Sequence, residues 1–171
     1  WLNVFQGTNS NTGVSVSSTN LRLRAGTVEV YGALLQLPGR LDELRIRIGQ
    51  ADGSWRPPVA AFPDGGASDV LHMHFDSGFT DVSPVGRAIE LVGSPVINTT
   101  APKLGLGCFL ATAGNYIRIL QTADMLLNGD FTVQCFVKTS SSGGSDAVMF
   151  GGTTALRINV GSYITVKSGT T

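Results

Sequence analysis

The sequence predicts an all-β chain, and three observations carry that prediction. Short runs alternate apolar and polar residues with a period of two, as in Leu44-Arg45-Ile46-Arg47-Ile48 and in Phe131 to Val137. Gly, Pro, Asn and Asp end these runs, and 22 of the 171 residues are glycine, as expected where many turns need positive φ. Only Gln121 to Leu127 reads as a helical turn in the C-terminal half.

Taken in order, Val14-x-Val16 and Leu21-x-Leu23 alternate with polar partners. Ala25-Gly26 offers a tight turn into Thr27 to Tyr31, so residues 21 to 31 read as a β-hairpin. Pro38-Gly39 marks a second turn. Leu44 to Ile48 follows as a strand, with an amphipathic helix over Leu41 to Ile48 as its competitor, because Leu41, Leu44 and Ile48 also fit helical spacing. Ala51-Asp52-Gly53 marks another hairpin turn. Phe62 to Ser68 has the composition of a linker and sets the boundary between a small β-rich docking module, residues 1–65, and a larger β module, residues 66–171. In the larger module, strands are predicted at Leu71 to Phe75, Ala88 to Val92, Val96 to Asn98, Gly107 to Ala111 and Tyr116 to Ile119. Further strands are predicted at Phe131 to Lys138, Ala147 to Phe150, Leu156 to Val160 and Ile164 to Lys167. Short strands at this spacing indicate a sandwich or jelly roll.

Composition limits the function classes. Formal net charge is zero, so nothing argues for nucleic acid or an anionic membrane as a partner. No run approaches 18 apolar residues, so no transmembrane helix is expected. A hydrophobic content of 42% against 14% charged residues leaves a weakly charged surface, which suits life in an assembly. The chain begins with Trp1 and closes on a strand-like run at Thr171, and it reads as an interior portion of a longer polypeptide or as its ordered part. Cys108 and Cys135 each share the apolar face of their run and are expected as buried thiols, with a disulfide between neighbouring strands as the alternative. Arg22, Arg24, Arg45 and Arg47 are expected on a solvated face; were their strands neighbours, they would form a basic stripe for an acidic partner.

The order of motifs in the second module carries a family likeness. Leu71 to Asp76 is followed by Phe79-Thr80-Asp81-Val82-Ser83, then by Lys103-Leu104-Gly105, Gly114-Asn115-Tyr116-Ile117 and Gly129-Asp130-Phe131-Thr132. Over residues 69 to 139 this resembles the concanavalin A-like lectin/glucanase sandwich in its laminin-G-like form, which recurs in tail, fibre and other virion proteins of bacteriophages. Two departures stand out. Cys135-Phe136 replaces the tryptophan expected near the end of the Phe-Thr strand. The module is also short for a complete sandwich, so it is expected to be incomplete at its C-terminus. The resemblance implies a jelly-roll sandwich and a structural virion protein, localised to the virion, that binds copies of itself, other virion proteins and host-surface glycans. The alternative is a secreted carbohydrate-binding module of the same superfamily.

Candidate sites are few. His72, His74 and Asp76 stand at i, i+2 and i+4; on a regular strand they share one face, a spacing that metal sites use. The structural alternative packs both histidines against another layer, with no metal. Asp76, Asp81 and Asp130 are candidate oxygen ligands for calcium, the one cofactor the resemblance brings into view, and turn stabilisation is the alternative. Glu29, Glu43 and Glu90 are the only glutamates, and none has a carboxylate two residues away on the same strand face. A glycosidase needs a carboxylate pair at fixed separation, so no catalytic residue and no enzyme activity is expected. Trp1 and Trp55 fall outside the lectin-like stretch and are expected in packing.

Overall fold

The structure is a computed structural model. It describes residues 2–4, 22–25, 27–30, 33–36, 39–50, 58–112, 114–120, 122–125, 130–139, 145–149, 157–160 and 164–167. The strands are β1 (Leu2–Val4), β2 (Arg22–Ala25), β3 (Thr27–Val30), β4 (Ala33–Gln36), β5 (Gly39–Ile48), β6 (Asp69–Met73) and β7 (Glu90–Val92). They continue with β8 (Val96–Asn98), β9 (Cys108–Ala111), β10 (Tyr116–Leu120), β11 (Phe131–Thr139), β12 (Ser145–Met149), β13 (Arg157–Val160) and β14 (Ile164–Lys167). Within the helical turn expected at residues 121–127, Ala123–Met125 forms a 3-10 turn. The described residues form an all-β structure, and every strand pairing among them is antiparallel.

Strand β5 organises the first sheet, whose order is β1-β11-β5-β9-β8 with β6 also on β5. Along one edge β5 pairs with β11 over its whole length. Along the other edge it changes partner: Gly39 to Leu41 pair with β9, and Leu44 to Arg47 pair with β6. The change occurs at a bulge. Gln134 faces Arg45 and Phe136 faces Asp42, so Glu43 and Leu44 together oppose Cys135. Glu43 has φ 52°, the left-handed region that L side chains seldom enter. The bulge also explains the helical spacing in the sequence. Leu41 and Leu44 both reach the core although they stand three residues apart, because one extra residue separates them on a strand.

The second sheet runs β14-β13-β12-β2-β10-β7, and β3 and β4 form a separate two-stranded sheet. The hairpin expected over residues 21 to 31 does not form. Strand β2 pairs with β10 and β12, while β3 pairs with β4, Val30 opposite Ala33. The boundary at residues 65–66 does not separate two sheets either. β1 and β5 pair with β11, and β2 pairs with β10, so these three early strands have partners in the later part of the chain, while β3 and β4 pair with each other.

One core cluster joins Leu41, Leu44 and Ile46 of β5, Leu71 and Met73 of β6, and Phe109 of β9 to Val133 and Val137 of β11. Ile117 and Ile119 of β10, in the second sheet, lie in the same cluster. Phe75, Phe79 and Phe109 add an aromatic corner, with Phe79 and Phe109 edge to face at 5.4 Å. Cys135 faces this core as expected. Cys108 does not: Phe109 and Ala111 take the core positions of β9, and the Cys108 thiol is buried against the carbonyl of Asn98. Neither thiol forms a disulfide.

Candidate functional site

The face of the first sheet turned away from this core carries the polar cluster. In β6, Leu71 and Met73 point inward, so alternation sends His72 outward beside Arg45 of β5. A cross-strand row results: Gln134, Arg45 and His72 on β11, β5 and β6. The Arg45 guanidinium donates to Gln134 Oε1 through Nε (3.0 Å) and Nη2 (2.5 Å). Phe62, from the segment before β6, closes over the row. Its ring lies 4.0 Å under the Arg45 guanidinium carbon and meets His72 edge-on, with centroids 6.0 Å apart.

Glu43, His72 and His74 meet beneath Phe62. One ligand atom from each lies within 4.8 Å of the others. The side chains of Glu43 and His72 are fully buried, and that of His74 is 16% exposed. The two imidazole centroids stand 4.4 Å apart. Glu43 Oε1 lies 2.8 Å from His74 Nδ1, and Glu43 Oε2 lies 3.9 Å from His72 Nε2 and accepts the Phe62 backbone N–H at 3.1 Å. Behind each ring stands an aspartate. Asp64 Oδ1 is 2.6 Å from His74 Nε2, and Asp69 Oδ2 is 3.7 Å from His72 Nδ1. Both ring nitrogens of His72 and both carboxylate oxygens of Asp69 are buried without a hydrogen bond, although Arg47 Nε forms an ion pair with Asp69 Oδ1 at 3.3 Å. Burial lowers the His74 pKa, but the hydrogen bonds that its ring donates to Asp64 and Glu43, and their charges, outweigh it and hold the imidazole above its ordinary value.

Backbone geometry builds this cluster. The non-glycine residues with positive φ among the described residues are Glu43 and Phe75, the residue that follows His74. Such conformations cost on the order of 1–3 kcal/mol each and persist where the surroundings impose them. At Phe75 the left-handed turn ends the strand alternation, so Asp76 does not share the face of His72 and His74 as the i, i+2, i+4 spacing predicts. Asp76 Oδ1 instead accepts the backbone N–H groups of Leu106 and Gly107. The third member of the histidine group is Glu43, 29 residues before His72 on a different strand, and no local spacing pointed to it.

The calcium set does not assemble. Asp81 is buried, and its two oxygens accept from His72 N, Ser83 N, Ser83 Oγ and Arg87 N. Asp130 is exposed at the start of β11, and its backbone carbonyl accepts the Gly49 N–H. Asp42 Oδ2 accepts the N–H groups of Lys103 and Leu104 at 2.7 and 3.1 Å. Asp42, Asp76 and Asp81 thus share one role, holding loop amides in place. The four arginines do not form one stripe, because Arg22 and Arg24 lie in the second sheet and Arg45 and Arg47 in the first. Trp1 and Trp55 lie outside the described residues.

Comparison with protein-family models, with curated proteins and with solved structures finds no match to this chain.

Proposed function

We propose that this chain is a structural contact module of a bacteriophage virion, a tail-fibre, tail-associated or capsid-surface component. Its concanavalin A-like jelly-roll sandwich serves assembly and attachment to host-surface glycans rather than catalysis. The observation that carries the reading lies at the ends of the two six-stranded sheets. β7 ends one sheet and β8 ends the other, and only residues 93–95 separate them in the chain. Both strands are three residues long, and each exposes an apolar side chain, Leu91 at 49% and Val96 at 53%. A sheet edge offers unpaired N–H and C=O groups to a strand of another chain, and apolar side chains beside it add contact area. The motif order from Leu71 to Thr132 supports the same reading, as do the three aspartates that stiffen the loops.

The test is the stoichiometry of the chain in its native assembly, measured by quantitative mass spectrometry of intact particles and by light scattering of the purified polypeptide. The reading requires a fixed copy number per particle, self-association in solution, and weaker association in Leu91→Lys and Val96→Lys with unchanged thermal stability. A monomer that is missing from particles overturns it. A monomer with a calcium-dependent signal on a glycan array would instead establish the secreted carbohydrate-binding module.

A further inference from the structure

We propose that Glu43, His72 and His74 bind one divalent transition-metal ion of the zinc class, which ties strand β5 to β6 and to the residue that follows β6. This site is independent of the virion reading, and either can fail alone.

The donor set fits the metal class. Two imidazole nitrogens and one carboxylate oxygen suit zinc and its neighbours, whereas calcium takes six to eight oxygens. Ligand atoms of a tetrahedral zinc site stand about 3.3 Å apart, given bonds of ~2.0–2.1 Å. With one ligand atom from each residue, the three donors lie within 4.8 Å of one another, so small side-chain shifts bring them to that spacing. The partial exposure of His74 leaves a path for the ion and a fourth position for water.

Two further observations point to a ligand. His72 is fully buried and neither ring nitrogen has a hydrogen-bond partner, a costly arrangement that an ion between Nε2 and Glu43 would relieve. The surroundings of the rings also repeat. Each imidazole turns one nitrogen to Glu43 and the other to an aspartate, Asp64 behind His74 and Asp69 behind His72. A carboxylate behind the non-ligating nitrogen is the usual outer partner of a metal-bound histidine, because it sets the tautomer and the ring orientation. The left-handed residues Glu43 and Phe75 mark where the backbone departs from regular strand to bring the groups together.

The experiment uses tag-free protein, stripped with EDTA, freed of chelator, and titrated with zinc sulfate by calorimetry and with cobalt chloride by visible absorption. One ion per chain is expected, with d–d bands of four-coordinate cobalt and a rise in melting temperature on loading. His74→Ala is expected to weaken binding at least ~100-fold, and Asp64→Asn, which alters an outer carboxylate, by ~10-fold or more. The Asp64 side chain is 67% exposed, so that variant folds and decides the matter if His74→Ala does not. Absence of saturable 1:1 binding, or unchanged affinity in the folded variants, overturns the proposal.

Discussion

Asp81 accepts the backbone N–H of His72 at 2.9 Å, so the turn that follows β6 also sets the position of an imidazole-bearing residue. The same carboxylate holds Ser83 through its N–H and hydroxyl and Arg87 through its N–H, all at 2.7–2.9 Å. Asp81→Ala removes every one of these acceptors from a buried site. A loss of ~3 kcal/mol is expected in urea unfolding, since an unpaired buried donor costs about 1–3 kcal/mol. Asp81→Asn keeps one acceptor oxygen and is expected to lose about half as much.

Gly107 is required by space and not by backbone angle. A Cβ there would lie 2.6 Å from the Phe75 carbonyl oxygen, 2.7 Å from Ile97 Cγ2 and 2.8 Å from the Asp76 carbonyl oxygen. Two of these are backbone atoms that cannot swing aside. Gly107→Ala is expected to cost ~1–3 kcal/mol, the range for overpacking. Gly49→Ala provides the contrast. Its φ is +73° with open space around the Cβ, so only the left-handed penalty of roughly 1–2 kcal/mol applies. Thermal melts of the two variants check the difference, which for Gly107 includes a disturbed Asp76 loop.

Asp42 makes stability depend on pH. Burial pushes its pKa from 3.8 up to about 7, against the N–H groups of Leu104 and Lys103 that pull it down, with Glu43 adding a smaller rise. The folded carboxyl therefore binds its proton more tightly than the unfolded one. The linkage slope is negative: the Asp42 contribution to stability is greatest below pH 4, falls between pH 4 and about 7, and levels off above. Asp42→Asn removes that slope. In metal-free buffer the variant is expected to be more stable than the parent at pH 8 by ~1–3 kcal/mol, because the amide carries no charge to keep buried, and no more stable at pH 4. Urea midpoints for both proteins across this range provide the measurement.

Cys135 is expected to be inert. Its thiol sits in the core, and burial pushes its pKa up to about 12; burial also raises that of Cys108. The thiolate is the reactive form, so neither cysteine should react with a disulfide reagent at pH 8 while the protein is folded. Two thiols per chain should titrate once guanidinium is added, with no reductant needed.

The strands were largely legible in the sequence. Val96 to Asn98 and Ile164 to Lys167 match β8 and β14, and the other strands predicted after residue 66 shift by a few residues at most. Period-two alternation is a local property of one strand, and glycine and proline mark its ends wherever it finally packs. Partners were less legible. The turn expected at Ala25-Gly26 precedes β3, but that strand pairs onward with β4. Leu41, Leu44 and Ile48 matched a helix because a bulge inserts a residue, and the bulge forms only against Cys135, more than ninety positions later.

The polar cluster shows the division most sharply. The sequence by itself determined that His72 and His74 share a face and that Leu71 and Met73 oppose them. Only the tertiary structure decided that Glu43 joins them and that Asp76 does not. The physical reason is that both outcomes rest on single residues, Glu43 and Phe75, held at positive φ by pairing and packing with distant segments, and no periodicity within a strand encodes that.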